Sequence, residues 1–160
     1  MQQQIQVRYA ERNDAAELAR LFAAVVGPLD IYVQRARDGE IKRFSEHAFR
    51  SLIGNDARSV ALAFADEEAV GFSIAEDQCG PVWIEWYGVI AHARGKGAGR
   101  ALIKSLIDEA PGRKATKLWC DTRTNNTPSI ALFESIGFRK LCELKQHWYG
   151  QDFFLWERDV

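Results

Sequence analysis

The sequence predicts a mixed α/β (α+β) fold of about seven strands flanked by about four helices. Three observations support this prediction. Apolar segments of strand length recur along the chain, other segments place apolar residues at helical spacing, and Gly or Pro residues separate several of these segments. Because 160 residues can bury one sizeable core and no linker or repeat interrupts them, we expect one domain over residues 1–160.

Each predicted element rests on its own local pattern. Apolar runs, alternating apolar residues and, for one hairpin, an acidic turn between two apolar runs indicate the strands. The predicted strands span about residues 5–9, 59–65, 69–76, 83–90, 117–121, 141–145 and 152–157. Capping residues and helical spacing indicate the helices. The predicted helices are one capped by Asn13 or Asp14 and ending at Gly27-Pro28, one from about Ile41 to Ile53, one opening at about Gly97, and one capped by Asn126.

The overall charge and the cysteines argue against several classes of protein. A net charge of −1 argues against binding to nucleic acid or to a membrane surface, since both favour a basic excess. The three cysteines are an odd, scattered set, so we expect neither a disulfide framework nor a metal site. The N-terminus lacks a signal-peptide pattern and no apolar run has membrane-spanning length, so we expect a cytoplasmic protein.

The most informative stretch is a basic, glycine-rich loop that follows the strand at 83–90 and opens a helix. Its three glycines lack a Cβ, so the oxygens of a ligand can approach the backbone closely. The helix N-terminus offers unpaired N–H groups and a partial positive charge, to which three cationic side chains add. A pyrophosphate is the ligand that such a loop fits best. The loop comprises Arg94, Gly95, Lys96, Gly97, Ala98, Gly99 and Arg100.

The spacing of this loop excludes two familiar nucleotide-binding patterns. A dinucleotide fingerprint that starts at Gly95 or Gly97 needs a glycine where Arg100 or Leu102 stands. A phosphate-binding P-loop needs Gly-Lys followed by Ser or Thr, which this loop lacks. What remains is an Arg-x-x-Gly-x-Gly pattern that begins at Arg94.

A second motif lies further along the chain. Asn126 is followed six and seven residues later by Leu-Phe, and eleven and twelve residues later by Gly-Phe. This spacing resembles the segment Asn-x-x-Ala-x-x-Leu-Tyr-x-x-x-Gly-Phe of the GNAT N-acetyltransferase superfamily. The glycine-rich loop resembles the acyl-CoA-binding signature of the same superfamily, Arg/Gln-x-x-Gly-x-Gly/Ala. Two signatures in the right order carry much more weight than either alone.

The resemblance implies the acyl-CoA N-acyltransferase fold, a mostly antiparallel sheet in which two central strands diverge and admit the pantetheine arm. It implies acetyl-CoA as the cosubstrate. Backbone N–H groups at the end of the strand would bind the acetyl oxygen, and the loop would bind the diphosphate. Asn126 would contact the pantetheine or the catalytic water in addition to capping its helix. The implied acetyl-CoA site comprises Val89, Ile90, Ala91, Arg94, Gly95, Lys96, Gly97, Ala98, Gly99, Arg100, Asn126, Ser129 and Phe133.

Glu85 is the residue that we expect to be catalytic. It lies in an apolar strand, and such an environment raises the pKa of a carboxyl group by disfavouring its charged form. A glutamate four positions before Val89 also resembles the acidic strand residue of polyamine-type GNAT enzymes. Glu85 could be the base, an anionic anchor for a cationic amine, or an exposed residue paired with a lysine. The resemblance also implies acceptor contacts from Tyr32 or its neighbours.

Phe133 departs from the pattern of the resembled family. That position is often a tyrosine, proposed as the acid that faces the CoA sulfur, and phenylalanine has no proton to give. The thiolate would then leave unaided, take a proton from water, or use another group. By residue type alone, Tyr87 and Tyr149 are the candidates for such a group.

Three functions therefore compete. The leading hypothesis is an acetyl-CoA-dependent N-acetyltransferase that acts on a primary amine, either a small cationic amine or a peptide or protein amine. The second is a non-catalytic acyl-CoA-binding or sensing module, which Phe133 favours. The third is a nucleotide-binding domain whose glycine loop imitates the acyl-CoA signature. A homodimer is common in the resembled family, and the sequence leaves the oligomeric state open.

Overall fold

Seven strands and five helices occur in residues 4–160, the part of the chain that the computed structural model describes. The strands are β1 (Ile5–Tyr9), β2 (Val60–Ala65), β3 (Glu68–Asp77), β4 (Pro81–Val89), β5 (Lys117–Arg123), β6 (Arg139–Leu144) and β7 (Phe153–Asp159). The helices are α1 (Ala15–Val26), α2 (Gln34–Arg43), α3 (Glu46–Asn55), α4 (Ala98–Glu109) and α5 (Thr127–Ser135). The predicted mixed α/β fold is confirmed, with five helices instead of about four.

All seven strands form one sheet in the order β1-β2-β3-β4-β5-β7-β6. Every neighbouring pair is antiparallel except β4 and β5, which run parallel. Their ladder begins at Pro81 and Lys117 and ends at Ile84 and Cys120, although both strands continue. Beyond that point β4 and β5 form no further ladder pairs along their described length, so the sheet opens at its centre.

The predicted helix from Ile41 to Ile53 is wrong, because two helices occupy this region. Phe44 leaves the helical conformation with φ −92° and ψ 56°, which ends α2. Ser45 is extended and accepts a hydrogen bond from the backbone N–H of Ala48 at 3.2 Å, which caps α3. Apolar residues at helical spacing continue across this break, so periodicity alone merges the two helices.

Helices cover both faces of the sheet and bury a core on each. On one face, Phe22 of α1 packs against Phe49 and Phe72, with ring centroids 6.1 and 5.2 Å apart. On the other face, Phe133 of α5 packs against Trp156 of β7 at 6.5 Å. Burying each such side chain contributes about 1.5–3 kcal/mol. These two cores hold β4 and β5 in place on either side of the opening.

A helix that crosses a lipid bilayer must be both long and apolar. None of the helices in residues 4–160 has both the length and the apolar character that crossing it requires.

Candidate active site

The predicted anion-binding loop opens α4. Gly97 is the N-cap residue, and its carbonyl accepts a hydrogen bond from Ala101 N–H at 2.9 Å. Gly95 and Gly97 have φ values of 75° and 93°, which side chains of L-residues rarely adopt. A Cβ built at either position would meet no atom of the described chain within 4 Å. The first amides of α4 therefore face open space, as binding of an anion requires.

A groove runs from this loop to the N-terminus of α5. Asn126 caps α5 by accepting a hydrogen bond from Ser129 N–H at 3.4 Å, so a second helix N-terminus borders the groove. Two helix dipoles thus give the groove partial positive charge. The predicted acetyl-CoA residues that line it are Val89, Arg94, Gly95, Gly97, Ala98, Gly99, Arg100, Asn126 and Ser129. The open amides and partial positive charge suit a diphosphate, and the groove between the two helices suits a pantetheine arm.

The other predicted acetyl-CoA residues lie outside the groove. Lys96 is exposed and does not line it, and Ile90 and Ala91 line neither this groove nor the cavity beside it. Phe133 is buried and lines the neighbouring cavity. The structure thus brings together most of the predicted set and separates these four residues from it.

Backbone geometry at the end of β4 distinguishes the N–H groups of two predicted site residues, Val89 and Ile90. Ile90 donates its N–H to the carbonyl of Val70 at 2.9 Å, so β3 already engages this predicted donor. In an antiparallel ladder, successive residues direct their N–H groups to opposite sides. Val89 N–H therefore points toward the side that β5 has left. The Val89 carbonyl accepts a hydrogen bond from Arg94 Nε at 3.0 Å, so Arg94 supports the same strand end.

A second cavity adjoins the groove at the opening of the sheet. The two spaces share Leu29, Tyr87, Asn126 and Ser129 as lining residues. A thioester that follows the groove would therefore arrive at the mouth of this second space. We call it the acceptor cavity, and its lining carries three carboxylates and several aromatic rings.

Glu85 lies on a β-bulge at the acceptor cavity. Ile74 of β3 pairs with Trp86 and Ala75 pairs with Ile84, which leaves Glu85 as the extra residue of β4. Its carboxylate binds Arg43 Nη2 of α2 at 2.6 Å. Burial raises the pKa of Glu85, and the charge of Arg43 partly offsets this effect. The pKa rise expected from the sequence is found, but the partner is an arginine from a distant helix.

Glu40 extends this charged cluster into the interior. It is 5% exposed, accepts a hydrogen bond from Trp86 Nε1 at 3.0 Å, and lies 3.3 Å from Arg43 Nη1. Arg43 therefore bridges Glu40 and Glu85, and the cluster carries one more negative than positive charge when both carboxyl groups are ionised. Its excess charge favours a cation in the cavity.

Asp121 is the third carboxylate of the acceptor cavity and, like Glu40 and Arg43, it is not predicted from the sequence. It follows Cys120, the last residue of β5 that pairs with β4, just as Glu85 follows Ile84. Burial raises the pKa of Asp121 to about 6, and the nearby His147 opposes the rise. Within residues 4–160 no cationic side chain lies within 4.0 Å of its carboxylate. A half-buried carboxyl that has no ion pair in the described chain and a pKa raised to about 6 is suited to accept a proton.

Four aromatic rings form another wall of the acceptor cavity. Tyr32 lies 5.5 Å from Trp86 and 5.8 Å from Trp148, and Trp148 lies 6.0 Å from Phe153, all measured between ring centroids. We call Tyr32, Trp86, Trp148 and Phe153 the aromatic wall. The faces of such rings attract cations. The expectation that Tyr32 contacts the acceptor is compatible with its position in this wall.

Hydrogen bonds tie the loop between β6 and β7 to the segment before α2. Gln151 accepts from Val33 N–H at 3.2 Å and donates through Nε2 to the carbonyl of Ile31 at 3.2 Å. Trp148 on this loop and Tyr32 on that segment both belong to the aromatic wall. The bonds of Gln151 therefore join two parts of the acceptor cavity that are far apart in the sequence.

The tyrosines considered as proton donors occupy different places. Tyr87 lines both the groove and the acceptor cavity, and its hydroxyl donates to Ser129 Oγ at 2.6 Å. Its ring lies edge-on to Phe133, with centroids 5.6 Å apart. Tyr149 lines neither space. Of the two candidates named from the sequence, only Tyr87 reaches the site.

Residues 4–160 contain no group of three or more His, Cys, Asp or Glu side chains that could hold a metal ion. His92 lies 3.1 Å from Glu68 at the surface, while His147 lines the acceptor cavity.

Comparison with known proteins agrees with this geometry. The sequence profile of the acetyltransferase (GNAT) family matches residues 29–138. A [ribosomal protein bS18]-alanine N-acetyltransferase of Salmonella typhimurium is 31% identical over 106 residues, which are 66% of this chain and 70% of that protein. Its counterpart in Escherichia coli K12 is 41% identical over 54 residues, which are 34% of this chain and only 36% of the relative.

Solved structures share the fold at low sequence identity. The PaiA N-acetyltransferase of Thermoplasma acidophilum, solved in complex with coenzyme A, superposes with a TM-score of 0.81 and 14% identity. The superposition covers 98% of this chain and 99% of that one. An identity this low supports the fold alone.

Proposed function

Because the chain belongs to the acetyltransferase (GNAT) family, we propose that it transfers the acetyl group of acetyl-CoA to the primary amine of a small cationic molecule. One observation carries this proposal: an anion-binding groove and an acidic, aromatic acceptor cavity meet where β4 and β5 part. The groove suits the diphosphate and pantetheine of acetyl-CoA, and the cavity suits an amine.

The acetyl-CoA side of the reaction relies on backbone groups. The amides at the start of α4 bind the diphosphate, and the groove directs the thioester toward the opening of the sheet. There Val89 N–H donates a hydrogen bond to the thioester oxygen and stabilises the negative charge that this oxygen gains in the tetrahedral intermediate. Ile90 cannot share this role because its N–H is bonded to Val70.

The amine side of the reaction needs a base and a binding site for positive charge. We assign the base to Asp121, because its pKa of about 6 leaves it mostly ionised at neutral pH and no ion pair within residues 4–160 occupies it. Glu85 is bound to Arg43, so we assign it the role of anchoring the cationic acceptor. The sequence favoured Glu85 as the base, and here Glu85 is the anchor while Asp121 is the base.

The aromatic wall and the Gln151 bonds favour a small acceptor over a protein chain. Rings of Tyr32, Trp86 and Trp148 attract an ammonium group and exclude water around it. Gln151 joins the two segments that border this space, which restricts the width available to an extended peptide. The competing acceptor class is a protein N-terminus, because the name of the Salmonella relative states that it acetylates an alanine of a ribosomal protein.

The proposal is tested by measuring release of the CoA thiol with a panel of acceptors. The panel contains diamines, aminoglycosides, a lysine side-chain analogue and a peptide with a free N-terminal alanine. We expect thiol release that depends on a cationic small amine, with the peptide a poor acceptor. Preference for the peptide would overturn the acceptor class but not the reaction.

The same assay separates the enzyme from a sensing module. Calorimetry first establishes whether the chain binds CoA in preference to ATP and NAD. A non-catalytic acyl-CoA sensor would bind CoA yet release no thiol with any amine of the panel. A chain that ignored CoA would contradict both hypotheses.

A further inference from the structure

A hydrogen-bond donor would help the sulfur to leave, and the side chain at position 133 of α5 does not provide one. When the tetrahedral intermediate collapses, the C–S bond breaks and the sulfur takes the electron pair. Phe133 lines the acceptor cavity at 1% exposure and carries no hydroxyl group. A thiolate that forms in such an enclosed space gains from any donor directed at it.

Tyr87 is positioned to be that donor. Of the four tyrosines in the sequence, all of which lie in the described residues, Tyr87 alone lines both the groove and the acceptor cavity. The thioester must pass from one space to the other, so its sulfur passes the residues they share. The Tyr87 and Phe133 rings are in edge-on contact at 5.6 Å, so a tyrosine of β4 packs against the α5 side chain that lacks a hydroxyl.

Packing and one hydrogen bond fix the Tyr87 side chain. A Cβ on Gly99 of α4 would approach the Tyr87 ring to 3.4 Å, which shows how closely α4 packs on it. The hydroxyl donates to Ser129 Oγ on α5 at 2.6 Å. Since each hydroxyl can both donate and accept, Ser129 can reverse this bond and hold the tyrosine oxygen while the tyrosine proton points elsewhere.

The acidity of Tyr87 decides what kind of help it gives. Burial raises the pKa of Tyr87 to about 12, whereas a thiol has an ordinary pKa of about 8.5. Full transfer of the proton from the phenol to the thiolate would therefore be unfavourable. A hydrogen bond needs no such transfer, and a phenol that stays protonated can donate it throughout the reaction.

We propose that the Tyr87 hydroxyl donates a hydrogen bond to the CoA sulfur as the thiolate departs, in place of the side chain at position 133. This inference rests on the proposed acetyl transfer. The amine nitrogen forms the C–N bond, its proton passes to Asp121, the C–S bond breaks, and the thiolate leaves held by Tyr87. The thiolate then takes a proton from solvent, and the product is the amide.

The first test is kinetic and uses Tyr87→Phe in the full chain. A hydrogen bond to a charged group is worth a factor of roughly 10 to 100, so we expect kcat to fall by that factor with little change in the KM for acetyl-CoA. Tyr149→Phe is the matched control, because Tyr149 lines neither space, and we expect unchanged kinetics. Equal kcat in Tyr87→Phe and the parent chain would overturn the inference.

A double variant distinguishes the hydroxyl from the packing of the ring. Phe133→Tyr in the Tyr87→Phe background returns one hydroxyl to the same region from α5. We expect it to recover most of the lost kcat, which a merely structural role of Tyr87 would not allow. No recovery, with both variants folded, would contradict a role at the sulfur.

A binding measurement needs neither an acceptor nor a variant. Calorimetry with CoA and with desulfo-CoA, above the ordinary thiol pKa, compares ligands that differ only in the sulfur. We expect the parent chain to prefer CoA by about tenfold, and Tyr87→Phe to lose the preference. If the parent chain preferred CoA to desulfo-CoA but acetylated no amine, the proposed function would be overturned and Tyr87 would remain a ligand of the sulfur. No preference in the parent chain would overturn the inference alone, and no binding of CoA would overturn both.

Discussion

The anion-binding loop and the acceptor cavity are built in opposite ways. The loop lies within seven consecutive residues, 94–100, and its amides act through the backbone. The acceptor cavity combines side chains from distant segments, among them Tyr32, Arg43, Glu85, Asp121 and Trp148. The comparison teaches that recognition of the cosubstrate is a local property of the chain, whereas selection of the acceptor is a tertiary one. Changes in the cavity can therefore alter the acceptor without altering acetyl-CoA binding.

The largest effect is expected from the two carboxylates of the cavity. Removal of a general base costs a factor of roughly 10² to 10⁴, so Asp121→Asn should lower kcat by that factor at neutral pH. Glu85→Gln should mainly raise the KM for the cationic acceptor, by about tenfold, because it removes one charge-assisted contact. Steady-state kinetics measures both, with CoA affinity unchanged as the control. The reverse pattern would return the base to Glu85.

A substitution in the anion-binding loop should lower the affinity for CoA without altering the acceptor cavity. Gly97→Ala places a Cβ in the open space above the loop, and we expect at least a tenfold loss of CoA affinity in calorimetry. Gly150→Ala is the matched control, since Gly150 also has a positive φ, 71°, and open space around it, yet lies on the β6–β7 loop. Both variants carry similar backbone strain. Equal CoA affinities in the two variants would contradict diphosphate binding at α4.

The pH dependence should identify the cavity as the place of proton transfer. A carboxylate base works only when ionised, and the pKa of Asp121 is about 6. We therefore expect kcat/KM to fall as pH decreases through about 6, by roughly tenfold at pH 5. The residual activity of Asp121→Asn should lack this limb. A limb that persists in Asp121→Asn would assign it to another group.

The smallest effect is expected from the aromatic wall. Trp148→Leu removes one ring face from the cavity and should raise the KM of a cationic acceptor by roughly three- to fivefold. Trp119→Leu is the control, because Trp119 pairs with Trp83 at 5.3 Å and lines neither the groove nor the acceptor cavity. We expect a neutral amine of similar size to be insensitive to both changes. If Trp148→Leu raised the KM of the neutral and the cationic amine equally, the variant would have changed the shape of the cavity and not its binding of a cation.

The same contrast explains which features the sequence could predict. Gly97 and Asn126 act through the backbone next to them, so their spacing was enough to predict two helix N-termini and the family resemblance. Ser45 could have been recognised as a cap, but the apolar periodicity around it suggested one continuous helix. Asp121 lines the cavity because β4 and β5 separate there, and Arg43 binds Glu85 because of where α2 packs in the fold. Neither event leaves a pattern within a few residues of sequence.

In the described chain, four residue pairs of parallel ladder join strands β1–β4 to strands β5–β7, and one hydrogen bond from Thr116 N–H to the Gly80 carbonyl precedes them. Beyond these pairs, packed side chains hold the two halves of the sheet together, and the facing edges of β4 and β5 lack a strand partner among the described residues. An occupant whose own amide groups bond to both free edges lengthens that connection. Filling the site would then complete the backbone bonding across the centre of the sheet, which the protein alone leaves open.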